Sequence, residues 1–140
     1  MHDGLEFRTL RVLVVGGKPH AVRTLRTVFS LLGLHQIVVV PESEAALQQL
    51  RFNTFDAVFC DEIAEKVGGL PFAVAARRDP EALDKMVPIF LTCAGARRRQ
   101  VEAARDEGVT DVLARPISAA TIGRKFALAV NKPRARICVR

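Results

Sequence analysis

Five short runs of β-branched and other apolar residues, each followed by a stretch with helical spacing, set the strongest limit on how this chain can fold. The first, RVLVV at residues 11–15, shows no polar face and stops at Gly16-Gly17. That is the pattern of a strand buried on both faces of a sheet and ended by a turn. Comparable runs lie at residues 36–40, 56–60, 87–92 and 110–114. Between the first two, Ala21, Val22, Leu25, Val28, Phe29 and Leu32 recur at helical spacing, and Gly33 stands where a helix end wants a left-handed residue. A second helix is expected over 42–51 with Ala46, Leu47 and Leu50 inward. Pro71 is placed in the first turn of a third, which runs to Arg78 and is closed by Asp79-Pro80. A fourth covers about 97–107 with Gly108 as its stop, and Ser118 caps a last helix that runs to about Val130 and is ended by Pro133.

Strands joined by helical crossovers pair in parallel, with right-handed connections and helices on both faces. The expected fold is therefore α/β, a doubly wound five-stranded parallel sheet. With 140 residues, 49% of them hydrophobic, the chain has room for one domain and enough apolar surface to fold without a disulfide or a metal. We place that domain at 11–131, between an N-terminal extension (1–10) and a basic C-terminal tail (132–140). Such sheets carry their sites beyond the carboxyl ends of the strands. In this sequence those ends are Gly16, Gly17, Asp61, Thr92 and Arg115.

Several function classes fall away. Cys60, Cys93 and Cys138 share no metal-binding or disulfide spacing, and strand alternation points Cys60 and Cys93 away from Asp61 and Thr92. No signal-peptide stretch or membrane-spanning run is present, so a cytoplasmic location is expected. Gly16-Gly17-Lys18 is not a phosphate loop: Val12 stands where the first glycine belongs, and Pro19 follows the lysine. His2, His20 and His35 are scattered, and no hydrolase constellation appears, so no enzyme is expected.

The net charge is +6, yet residues 1–123 hold 15 basic and 15 acidic side chains. The excess comes from Arg124, Lys125, Lys132, Arg134, Arg136 and Arg140, a cationic last helix and tail on a neutral body. That distribution argues against nucleic-acid binding by the whole domain. Arg97, Arg98 and Arg99 open the fourth helix, where the macrodipole disfavours cations. They read either as a solvated helix face or as a contact for an anion or an acidic partner. Arg77 and Arg78, at the end of the third helix, read as capping charges.

Three local matches carry a family resemblance: RVLVV before a two-residue site and a helix; FDAVFCD with Gly69 eight residues after its last Asp; and PIFLT followed by GVTDVLARP. Over roughly residues 10–130 the sequence resembles the receiver domain of bacterial two-component response regulators. The resemblance implies a flavodoxin-like sheet in strand order 2-1-3-4-5. It puts Asp61 at the phosphoacceptor position and Thr92 at the phosphate-sensing hydroxyl. It also exposes departures: Gly16 and Gly17 replace the acidic pair that holds magnesium, and Arg115 replaces the lysine before Pro116. Ala64-Glu65 stands where many receivers show Met-Pro, and Val112 replaces the switching aromatic residue.

Magnesium needs several hard oxygen ligands, and phosphoryl transfer to a carboxylate depends on cations that neutralise the developing charge. With glycines in place of the acids, neither magnesium nor another cofactor is expected. Arg115 can bind a carboxylate through two N–H groups, so an Asp61–Arg115 pair is expected in the space of the metal. The function these features imply is a stand-alone receiver-like domain working through protein–protein interaction, with atypical or absent phosphorylation at Asp61. Its partner would be a histidine kinase or phosphotransfer protein, met through the last two helices and the fifth strand; a homodimer is compatible with this. The second reading is an arginine-mediated anion-binding module for a nucleotide second messenger or nucleic acid.

Overall fold

A computed structural model describes residues 6–61, 66, 67, 70–95 and 97–131. The sheet has five parallel strands: β1 (Arg11–Val15), β2 (Gln36–Val40), β3 (Ala57–Asp61), β4 (Ile89–Cys93) and β5 (Asp111–Ala114). Their order across it is β2-β1-β3-β4-β5, as the sequence implies. Strand alternation divides the core in two. Val12, Val14, Ala57, Phe59, Phe90 and Leu113 face α1 (Pro19–Leu31) and α5 (Ala119–Asn131), meeting Val28, Phe29, Ile122 and Phe126. Leu13, Val15, Val58, Cys60 and Ile89 face α2 (Ser43–Phe52) and α3 (Phe72–Arg78), meeting Ala46, Leu50, Phe72 and Ala73. The remaining helix, α4 (Arg98–Asp106), lies on this second face, where Ala104 packs half-buried against the core and no side chain is fully buried.

Aromatic packing centres on Phe59, whose ring lies 5.0 Å from Phe29, 5.1 Å from Phe90 and 6.3 Å from Phe126. Phe7, in the 3-10 turn Phe7–Thr9 before β1, meets Phe126 edge-on at 5.7 Å. Thus part of the N-terminal extension packs on the α1/α5 face. The basic tail, Pro133, Cys138, Gly69 and Ala64-Glu65 lie outside the described residues.

Element boundaries shift where a side chain or a proline takes over a ladder bond. β3 starts one residue later than expected because Asp56 is a clip: its backbone N–H donates to Arg11 O at 2.8 Å, and its carboxylate accepts from Arg11 N–H at 2.8 Å. β4 starts at Ile89 rather than 87, since Pro88 has no N–H and the Ile89 N–H donates to the Thr110 hydroxyl at 2.9 Å. Pro71 does not open α3. Residues Leu70–Pro71 pair antiparallel with Lys66–Val67 in a short ribbon that the sequence pattern does not reveal, and the helix begins at Phe72. Ser118 does cap α5, its Oγ accepting from the Thr121 N–H at 3.1 Å.

Arg77 is not a capping charge. Its guanidinium leaves α3 and donates to Gly108 O (3.0 and 2.7 Å), Lys85 O (2.9 Å) and Val87 O (2.6 Å), fastening the segments before β4 and β5 together.

Candidate functional site

Parallel pairing brings the strand ends level. Asp61 on β3 is in register with Thr92 on β4, Thr92 with Leu113 on β5, and Gly16 N–H donates to Val40 O at 2.9 Å just past β1. Alternation then sorts the side chains. Asp61 and Thr92 lie two residues beyond Phe59 and Phe90, and Arg115 two beyond Leu113, so all three emerge on the α1/α5 face. Gly16 and Gly17 close the same corner.

These five residues line one cavity of about 360 Å³. At its mouth Arg115 Nη1 donates to Asp61 Oδ1 at 3.0 Å, with Asp61 11% and Arg115 35% exposed in the side chain. The expected ion pair is therefore formed. Thr92 is 4% exposed. The Arg115–Pro116 peptide is cis.

Gly16 and Gly17 have φ of 70° and 92°. They do more than leave the space of absent acids vacant, because the turn out of β1 takes a left-handed path that side chains with a Cβ rarely adopt. Sequence reasoning misses the other end of the cavity, where Val14, Leu25, Val28, Phe59 and Ile117 form an apolar wall beneath α1. In the sequence these residues look like ordinary core positions, and only the tertiary fit of α1 on the sheet separates them from it.

The remaining candidates lie elsewhere. Val112 is half-buried on the opposite face of the sheet, against the cluster beneath α2 and α3. Arg97, Arg98 and Arg99 are exposed and do not line the cavity; Arg98 approaches Glu102 at 3.8 Å. Gln100 Oε1 accepts from the Arg97 N–H at 2.8 Å, which satisfies one orphan donor at the start of α4. Cys60 and Cys93 are buried thiols, with Cys60 on the face away from Asp61.

α4 is held near β5 by the half-buried Ala104, which packs on the core, and by charge. Asp111 accepts from Lys125 of α5 at 2.6 Å and from Arg105 of α4 at 2.7 Å. Burial works against the charged form of Asp111, yet Lys125, Arg105 and the Val112 N–H together hold its carboxyl below the ordinary value. A carboxyl whose folded pKa is depressed contributes stability above its unfolded pKa of about 4 and loses it as pH falls through the folded value. Acidification below about pH 4 is therefore expected to loosen α4 first, followed by amide NMR, and Asp111→Asn should flatten that dependence. An α4 equally ordered at pH 3 and pH 6 in the parent protein would contradict this.

Comparison with known proteins agrees with the geometry. Residues 12–127 match the response regulator receiver domain family. The chain is 25% identical over 119 residues to the chemotaxis protein CheY-3 of Vibrio cholerae, an alignment covering 85% of this chain and 90% of that protein. Among solved structures, it resembles the receiver domain of a Pseudomonas aeruginosa sensor histidine kinase, described with a magnesium ion coordinated in its active site cleft. There the TM-score is 0.74 at 20% identity, over 88% of this chain and 98% of the other. A Francisella response regulator receiver domain gives 0.73 at 17%, over 87% and 97%. The sheet order, the strand-end cluster and a family match spanning most of the sequence lead to one assignment: this chain belongs to the response regulator receiver domain family.

Proposed function

We propose that this receiver domain acts in two-component signalling through protein contacts, with its state set without magnesium-dependent phosphorylation of Asp61. The observation that carries this reading is the 3.0 Å contact between Arg115 Nη1 and Asp61 Oδ1. A divalent cation held by Asp61 would lie next to a permanent positive charge, and two glycines stand where a magnesium site needs further carboxylates. This donor set does not fit magnesium. Asp61 remains the phosphoacceptor position and Thr92 the sensing position by family, while Val112 offers no ring to rotate.

The partner surface is assigned to α4, β5 and α5. β5 is an edge strand, α4 fully buries no side chain, and Leu128 of α5 is 64% exposed. Receiver domains are in general signalling modules that contact proteins such as kinases, and no helix among the described residues is long and apolar enough to cross a membrane.

The test is incubation with magnesium and beryllofluoride or a small phosphodonor, followed by intact mass and amide NMR. We expect no aspartyl phosphate and no magnesium-dependent shift at Thr92. A stoichiometric mass gain on Asp61 with shifts spreading to Thr92 overturns the reading.

A further inference from the structure

The charge balance of residues 1–123 is not local, because the fold sorts it across the sheet. Residues 41–56 and 72–110, which include α2, α3 and α4, hold eight Lys or Arg and nine Asp or Glu. Residues 16–35 and 112–131, which include α1 and α5 on the other face, hold six Lys or Arg and no acid. Carboxylates from elsewhere meet two of the six, Asp61 at Arg115 and Asp111 at Lys125. The others, Lys18, Arg23, Arg26 and Arg124, are exposed and form no ion pair among the described residues. The outer surface of the α1/α5 layer is therefore cationic along both helices. Beyond Asn131 the sequence adds Lys132, Arg134, Arg136 and Arg140, again with no acid.

Two leucines stand among these cations. Leu31 ends α1 and is 74% exposed, and Leu128 of α5 is 64% exposed. Both lie toward the end of the layer where the strands begin. Leu31 closely precedes Gln36, which pairs with Arg11 at the start of β1, and Phe126, half a turn before Leu128, touches Phe7 just ahead of β1. The combination selects among polyanions. Nucleic acid would engage the cations but gain nothing from leucines, and Phe52, an exposed aromatic able to stack on bases, belongs to α2 on the opposite layer. A protein interface centres on a contiguous apolar core, whereas here Thr24, Thr27 and Ser30 lie exposed between the charges and each leucine stands singly. A second copy would set like charge against like. An anionic bilayer takes the whole pattern: its charge is diffuse, cations spread over two helices all reach it, and isolated leucines enter the headgroup boundary.

We infer that the α1/α5 face is a peripheral docking surface for anionic phospholipid, with Lys18, Arg23, Arg26 and Arg124 at the headgroups and Leu31 and Leu128 in the boundary below them. The cations that follow α5 in sequence add to the same attraction. The inference is independent of whether Asp61 is phosphorylated. Leu128 also belongs to the proposed partner surface, so a bilayer and a partner protein compete for α5, and attachment to a membrane becomes a control on the protein contact.

Sedimentation of the full-length protein with phosphatidylglycerol vesicles tests this, beside phosphatidylcholine vesicles and a DNA duplex of mixed sequence. Binding to phosphatidylglycerol is expected to exceed that to phosphatidylcholine at least about tenfold and to weaken as salt rises. A cation near an anionic surface contributes about fivefold in partitioning, so Arg23→Gln with Arg26→Gln should lower binding about 25-fold. Leu31→Ser with Leu128→Ser should lower it about tenfold, the effect of partly burying two leucines, and leaves the core untouched because both side chains are exposed. Arg78→Gln with Arg99→Gln removes the same charge from the opposite layer, where the thickness of the domain exceeds the screening length, and should change binding less than about twofold. No sedimentation with phosphatidylglycerol, equal binding to both lipids, or an arginine or leucine variant of the α1/α5 face that binds like the parent each overturn the inference. An equal loss from the Arg78 and Arg99 pair would trace the attraction to net charge and overturn it too. Duplex DNA bound more tightly than the vesicles and indifferent to the leucine changes assigns the face to nucleic acid instead.

Discussion

Replacing Arg77 with Met is expected to lower the unfolding free energy by about 3 kcal/mol, read as a lower urea midpoint at unchanged slope. The guanidinium is half-buried and donates to three carbonyls, Lys85 O, Val87 O and Gly108 O, in two loops distant in sequence. Hydrogen bonds to charged groups contribute roughly 1.5–3 kcal/mol each, and removing the donor leaves carbonyls short of a partner. Methionine keeps much of the apolar stem, so the loss reports the bonds rather than the packing. Gly108 belongs to the same unit: its φ is 105°, and a Cβ there would come 2.8 Å from Arg77 Cγ. Gly108→Ala should therefore be costly alone and less so on an Arg77→Ala background, which removes that Cγ, a coupling that a double-mutant cycle measures. A loss under about 0.5 kcal/mol for Arg77→Met, the range of ordinary surface changes, would remove this account.

The second large effect is expected when the missing acids are put back. Gly16→Asp with Gly17→Asp should lower stability by roughly 2–4 kcal/mol, because a left-handed conformation costs an L-residue with a Cβ about 1–2 kcal/mol at each position. Space is not the obstacle at Gly17, where a Cβ would stand 3.6 Å from Val22 Cγ2 and 3.9 Å from Asp61 Cβ. The backbone path is. Simple restoration of the acidic pair is thus expected to give a less stable protein, with the new carboxylates competing for Arg115. Thermal and urea unfolding of the double variant check it, and stability equal to the parent would show that the turn readily adopts another path.

Much of this architecture is legible from periodicity. β1, with apolar residues at every position after Arg11, can only be a strand covered on both faces, and its crossover to β2 through α1 fixes parallel pairing. From that point Asp61, Thr92 and Arg115 have to converge, because alternation and register leave a strand-end residue little choice of face. Features that depend on side chains meeting across loops are not legible. Arg77 in the last turn of α3 carries the ordinary signature of a helix-terminal cation, and only the folded chain shows Gly108 within its reach. Asp111 looks like any strand-edge acid until α4 and α5 bring Arg105 and Lys125 to it. In the sequence the Gly16-Gly17 pair stands out by what it lacks, whereas its positive φ values reveal a requirement of the chain itself.

A helix that fully buries no side chain, held by the half-buried Ala104 and by the Arg105–Asp111 pair, should have the lowest local unfolding cost of the elements in the proposed partner face. Its amides should exchange with deuterium well before those of α5, which anchors Ile122 and Phe126 in the core. A partner that grips α4 would then have to order it, so part of the contact energy is spent on immobilisation and the complex is weaker than its area suggests. The same looseness lets one short segment settle differently against different partners, turning α4 into a variable docking element on an otherwise rigid sheet.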